Sequence, residues 1–138
     1  MNKVAIVFWS ATGNTETMAN CIAEGAKGTL VPCSEMTPAK LAEFDVVAFG
    51  CPAMGAEQLE ESEFEPMFAG LEGSLNGKKI VLFGSYGWGD GQWMRDWAER
   101  AQDDGAQLFS QEGLICNETP DEDVQAACRQ LGADLAAW

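Results

Sequence analysis

Val4-Ala-Ile-Val-Phe-Trp-Ser-Ala-Thr-Gly-Asn-Thr15 decides how this chain folds. Its first half, Val4 to Trp9, is unbroken apolar sequence with no polar alternation, the pattern of a strand covered on both faces. Its second half turns abruptly polar around Gly13 and opens a helical pattern from about Asn14 to Glu24, with Met18, Ala19, Ile22 and Ala23 at helical spacing. Gly25 and Gly28 mark the expected stop. A doubly covered strand running directly into a helix is one unit of a parallel α/β sheet.

The same alternation recurs outward from this unit. Thr29 to Cys33 reads as a second strand, placed at an edge by Pro32. Thr37-Pro38 has the cap and first-turn pairing of a short helix ending near Phe44. Val46 to Phe49 is a third strand, and Phe64, Met67, Phe68 and Leu71 mark the next helix. Lys79 to Phe83 is a fourth strand, and Trp93, Trp97 and Ala101 line a helix ending at Gly105. Residues 107–116 read as a fifth strand, and Thr119-Pro-Asp-Glu122 as a capping box for a last helix reaching Trp138. Five strand–helix alternations in 138 residues predict a single α/β domain over 1–138. The expected architecture is a three-layer sandwich, a five-stranded parallel sheet in the order 2-1-3-4-5 with helices on both faces. Ligands of such folds bind beyond the carboxyl ends of the strands, where the first and third diverge. This selects three loops: 10–15, 51–58 and 84–91.

Composition narrows the chemistry. Eight basic against 22 acidic residues leave a net charge of −14, which repels nucleic acid and anionic lipid and favours partners with basic faces. The chain has no histidine, so the commonest proton-moving side chain at neutral pH is missing. Five cysteines, an odd number without a C-x-x-C pair, argue for buried reduced thiols rather than a metal or disulfide framework. No apolar run approaches the roughly 18 residues of a membrane span, and Met1-Asn2-Lys3 leads directly into a strand, so the expected location is cytoplasmic.

Ser10-Ala-Thr-Gly-Asn-Thr15 puts four hydrogen-bonding side chains and a glycine at a helix start. Free N–H groups and the helix dipole there suit a phosphate. The loop lacks the G-K-[ST] ending of a nucleoside-triphosphate cradle, so a phosphomonoester held by neutral donors is expected. Taken alone, the same residues also serve as an ordinary helix cap. In the second loop, Met54 stands among small residues, a polarizable side chain suited to a flat ring. In the third, Tyr86 and Trp88 stand among glycines, where an aromatic faces a ligand or a partner. A phosphate cradle with Met on one side and Trp on the other side of a flat ring matches flavin mononucleotide, FMN.

Four stretches carry a family resemblance: Trp9 to Glu16, Gly50-Cys-Pro-Ala-Met-Gly55, Glu60-Glu-Ser-Glu-Phe-Glu-Pro66 and Leu82 to Gly91. Over essentially its full length the chain resembles the short-chain flavodoxins of the clostridial type. The resemblance implies a flavodoxin-like fold and a low-potential one-electron carrier using non-covalently bound FMN between neutral semiquinone and anionic hydroquinone. It implies phosphate binding by Ser10, Ala11, Thr12, Gly13, Asn14 and Thr15. It implies Met54, with Pro52 and Ala53, on the inner flavin face and Trp88 on the outer. Glu57 would accept from flavin N3–H, the backbone at 87–89, with Gly87 and Gly89, would hydrogen-bond the pyrimidine edge, and Ser85 and Tyr86 would also contact the cofactor. Asn117 would lie near the ribityl chain. The Gly55 carbonyl would accept from flavin N5 once the turn carrying it reorients. Glu57, Glu60, Glu61, Glu63, Glu65 and Asp90 are expected to flank the site and lower the potential. The implied partners are redox enzymes with basic docking faces in transient complexes, with this chain a monomer and no substrate-converting site of its own. Ala11 stands where many relatives have glycine, Pro52 stands where some place a hydroxyl and others also carry proline, and Gly25 to Met36 is shorter than usual.

The same fold also serves phospho-accepting receivers and small tyrosine phosphatases. The first needs acids after strand one and an aspartate after strand three, where this chain has Ser10 and Cys51-Pro52. The second needs a cysteine and an arginine framing the first loop, and neither is present. A small flavoenzyme such as a quinone reductase is the alternative reading.

Overall fold

The computed structural model describes all residues from Met1 to Trp138. Along the chain run β1 (Val4–Phe8), α1 (Asn14–Ala26), β2 (Thr29–Pro32), α2 (Pro38–Leu41), β3 (Val46–Gly50) and α3 (Phe64–Leu71). Then follow β4 (Lys79–Tyr86), α4 (Gln92–Asp103), β5 (Gln107–Leu108), β6 (Leu114–Asn117) and α5 (Glu122–Ala137). Every strand pairing is parallel, in the order β2-β1-β3-β4, with β5 and β6 sharing the outer edge of β4. The expected order 2-1-3-4-5 is therefore the observed one.

Side chains alternate between two cores. Ala5, Val7, Val47, Phe49, Ile80 and Leu82 pack with α3 and α4 on one face. Val4, Ile6, Val46, Ala48, Val81 and Phe83 pack with α1 and α5 on the other. Apolar sequence without alternation is thus the natural content of strands that have no solvent face.

Four expectations need correction. The fifth strand is not continuous over 107–116: it pairs with β4 at Lys79–Ile80, leaves it, and returns at Phe83 as β6. The polar Ser110-Gln-Glu-Gly113 stretch makes the excursion, and Gly113 re-enters where a Cβ would lie 2.7 Å from the Leu82 carbonyl oxygen. Gly25 is not a stop but a packing site. A Cβ on it would sit 1.9 Å from the Arg129 carbonyl oxygen, and one on Gly132 would sit 2.1 Å from that of Ile22. These two glycines let α1 and α5 lie backbone to backbone, and α1 ends only at Lys27, in the left-handed conformation at φ 52°. The last helix is capped by Asp121, whose carboxylate accepts from the Val124 amide at 2.9 Å, and not by Thr119. Finally, β4 extends through Gly84, Ser85 and Tyr86, because β6 supplies partners that far.

The start of α3 has no cap from its own boundary residue. Glu60, buried at 6% exposure, supplies one from the preceding loop. Its carboxylate accepts from the amides of Glu63 (2.8 Å), Phe64 (2.9 Å) and Ser62 (2.8 Å), and from the Ser62 hydroxyl. Burial pushes its pKa up, but these hydrogen bonds outweigh burial and bring it down to about 2. A pKa lower in the folded than in the unfolded chain stabilises above the unfolded value, and that gain is lost as pH falls through the folded one. Glu60→Gln should therefore cost about 2–3 kcal/mol at neutral pH, with the deficit falling to roughly half by about pH 3. Urea midpoints across that range test this; a deficit independent of pH would show that the charge does not hold the loop.

Candidate functional site

Loops leaving the carboxyl ends of β1, β3, β4 and β6 enclose a cleft of about 360 Å³, within the roughly 300–1,000 Å³ of small-molecule sites. Ser10, Ala11, Thr12, Asn14 and Thr15 line it from the first loop, Pro52, Ala53 and Met54 from the second, and Ser85, Tyr86 and Gly87 from the third. Glu118 and Thr119 complete it.

The first loop is built around a helix start that is only partly capped. Gly13 stands at that position with φ 97° and, as a glycine, brings no capping side chain of its own. The Ser10 hydroxyl oxygen accepts from the amides of Gly13 (3.2 Å) and Glu16 (3.2 Å), which curls the loop and leaves its own proton free to donate. The amides of Thr12, Asn14 and Thr15, and the side chains of Thr12 and Asn14, have no hydrogen-bond partner in the protein. Thr15 is different. It is buried, lies 2.9 Å from the Ser85 hydroxyl and accepts from the Ser85 amide at 3.3 Å, so it ties the loop to β4. No lysine or arginine lines the cleft. Uncommitted neutral donors at a helix start suit the phosphate of FMN.

The second loop closes as a hairpin. Met54 and Gln58 exchange amide-to-carbonyl bonds at 2.8 and 3.0 Å, with Gly55 (φ 50°) and Glu57 (φ 59°) both left-handed. Met54 is half-buried in the cleft wall. In the third loop Tyr86 packs on the buried Trp93, ring centroids 5.5 Å apart, while Trp88 stands 67% exposed.

Glu57 joins the second and third loops. One carboxylate oxygen accepts from the Trp93 amide at 3.0 Å, in the first turn of α4, whose boundary residue Gly91 offers no cap. The other oxygen, Oε1, is buried and without a partner. It lies so close to Gly89 (φ 87°) that a Cβ there would be 1.9 Å away. A buried acceptor without a donor is costly unless something supplies one, and an imide N–H such as that of flavin fits.

Gly13, Gly55, Glu57, Trp88, Gly89 and Asn117 flank the cleft rather than line it. Asn117 directs its amide to the Tyr86 carbonyl at 3.5 Å. Glu118 and Thr119 escaped the sequence reading. Applying the carboxyl-end rule to the fifth strand as well would have found them. The acids also divide. Glu60 is the α3 cap, Glu65 pairs with Arg100 at 2.7 Å, and Asp90 with Arg95 at 3.0 Å. Glu63 accepts from the Trp9 indole at 2.8 Å, and Glu61 from the Gln58 side chain.

The flavodoxin family model matches residues 6–131. The chain belongs to the flavodoxin family. It is 47% identical to the flavodoxin of Megasphaera elsdenii, with 96% of this chain and 98% of that protein covered. It is 44% identical to the flavodoxin of Clostridium beijerinckii, with 95% and 97% covered. Among solved structures, two-electron reduced Megasphaera elsdenii flavodoxin superposes with a TM-score of 0.88 at 44% identity, over 98% of this chain and 99% of that one. As a flavodoxin the chain is a one-electron carrier whose cofactor is FMN.

Gly89→Ala should push the Glu57 carboxylate off the Trp93 amide and strain a left-handed position, costing on the order of 1 kcal/mol of stability. FMN affinity should fall about tenfold if a comparable bonding energy is lost. Quenching of flavin fluorescence by the cofactor-free protein measures this, and an unchanged affinity would detach Glu57 from the cofactor.

Proposed function

We propose that this flavodoxin binds FMN in the cleft between the 10–15, 52–54 and 85–89 segments, and that it acts as a carrier only, with no substrate of its own. The observation that carries the reading is the start of α1, where Ser10 takes the Glu16 amide but the amides of Thr12, Asn14 and Thr15 and the Thr12 and Asn14 side chains await a partner. FMN supplies reversible one-electron chemistry at its ring. The chain's residues hold and orient it. The Ser10–Thr15 loop takes the phosphate through neutral donors, Thr15 keeping that loop fixed to Ser85. Met54 covers the inner ring face and Trp88 the outer one. Glu57 Oε1 accepts from N3–H, and the backbone of 87–89 meets the pyrimidine edge. The chain has no histidine, the side chain most often used to move protons at neutral pH, which supports a carrier over an acid–base enzyme.

Its partners are redox enzymes with basic docking faces, met in transient complexes by a monomer. The charge of −14 supports this, as does the absence of any cation within ion-pair distance of Glu57, Glu61, Glu63 and Glu118. All five cysteines are free and buried, which supports a cytoplasmic, reducing setting. No helix is long and apolar enough to cross a membrane.

Riboflavin, which lacks the phosphate, should bind at least about a hundredfold more weakly than FMN, since two or more charge-assisted hydrogen bonds are lost. Comparable affinities would make the 10–15 loop a helix cap and nothing more. Trp88→Ala should weaken FMN binding by about tenfold through lost stacking and leave the flavin open to collisional quenchers. Unchanged affinity and accessibility would remove Trp88 from the ring contact.

A further inference from the structure

The excursion of the fifth strand opens a second cavity, away from the cofactor cleft. Because β5 leaves β4 after Ile80 and β6 joins it at Phe83, Val81 and Leu82 have no strand beside them on that edge. The opening between the excursion and α5 has a volume of about 330 Å³. Its floor is the buried Val81, with half-buried Phe109, Leu114 and Leu131 around it. Its rim carries two carboxylates, Glu112 on the excursion and Asp134 on α5. Gln130 donates to Asp134 at 2.8 Å and holds it in place. No lysine or arginine lines the cavity. Lys79 stands beyond its aromatic end, over the Trp138 ring at 5.3 Å and donating to the Trp138 carbonyl, while Trp138 meets Phe109 edge to face at 5.2 Å.

We propose that this cavity is a binding site for a small organic cation, an aromatic or alkyl body carrying a terminal ammonium group. The apolar floor removes the body from water, with the Phe109 ring offering an aromatic neighbour. An ammonium has three donors and no acceptor, which matches a rim of carboxylates without a competing cation. The field of a chain with charge −14 concentrates cations and repels anions of the same shape. A single ring with a short chain fits a volume of about 330 Å³ and places its ammonium at the rim. Such a site is separate from electron transfer and independent of which residues hold FMN.

Titration of the FMN-loaded protein with phenethylammonium, followed by NMR, tests the site. Saturable shifts are expected in the methyl groups of Val81, Leu114 and Leu131 and in the amides of 109–114, with the cofactor-cleft resonances unmoved. A millimolar dissociation constant suits a probe of about nine heavy atoms. The anion 3-phenylpropionate, with the same ring and a similar chain, should bind at least about tenfold more weakly. Asp134→Asn should weaken phenethylammonium about three- to tenfold. Ala127→Leu, an exposed α5 position on the cavity wall, should abolish binding while FMN stays bound. No saturation at tens of millimolar, shifts confined to the cofactor cleft, or equal binding of the anion would each overturn the proposal.

Discussion

Burial of the central strands on both faces is the constraint from which the rest follows. A strand with no solvent side needs helices above and below it, and parallel strands need crossovers to return the chain to the starting edge. Every crossover then leaves from a carboxyl end, so the loops after β1, β3, β4 and β6 meet at one end of the sheet. The site is a consequence of packing before it is a matter of chemistry. The glycines at 25 and 132 belong to the same constraint. They let α1 and α5 approach closely enough to cover β4 between them. The start of α1 is thereby fixed over the cleft, and Thr15 reaches Ser85.

Two helix starts are handled in opposite ways. That of α3 is satisfied internally, Glu60 filling it with a buried carboxylate. That of α1 is left largely open: Ser10 takes the Glu16 amide, while Asn14 and Thr12, both residues that cap helices well, leave the amides around them free. Such a start exposes several amides to water or to an anion, and the dipole of a 13-residue helix adds to their pull. The start of α4 lies between these cases. Glu57 caps it with one oxygen and keeps the other unpaired, so a single side chain both closes a helix and awaits a donor. The loop conformation around Gly55 and Gly89 is therefore tied to the packing of α4.

What the sequence revealed follows from how locally each feature is determined. Strand and helix types were legible because burial on two faces writes itself into continuous apolar runs such as Val46–Phe49. Three of the four cleft loops were legible because a topological rule selects them. The interruption at 109–113 was not, since the apolar residues at 108, 109, 114 and 115 are consistent with one strand until the close approach of Gly113 to Leu82 is known. Gly25 misled for a similar reason. A glycine near a helix end is a stop signal in isolation, and only the position of Arg129, more than 100 residues away, makes it a packing residue. The capping of α5 by Asp121 instead of Thr119 is a two-residue shift between equally good caps, with Thr119 left in the cleft wall. The roles of the acids were the least legible part, because a carboxylate's partner is a tertiary property.

Charge is distributed along the strand axis in a way that the total hides. Lys3, Lys78 and Lys79 precede or begin strands, Lys27 closes α1 just before β2, and Lys40 lies in α2 before β3, so these five cations belong to the amino ends of the sheet. Lys78 is drawn further into structure there, donating to the carbonyls of Leu41 and Phe44 at the end of α2. The three arginines are paired: Arg95 with Asp90, Arg100 with Glu65 and Glu72, and Arg129 with Glu24. The carboxyl end of the sheet therefore has acids without free cations, and the molecule is polar along its strands as well as acidic overall. A field of this shape works at two ranges. At long range, within the Debye length of about 10 Å at moderate salt, such a field attracts positive charge to that end of the sheet. At short range it opposes added negative charge at the cleft, where the walls are partly apolar and screening is weaker than in bulk water. The 10–15 loop, which carries no cation, fits this arrangement. A lysine in that loop would add a cation to the carboxyl end of the sheet and weaken the negative potential there.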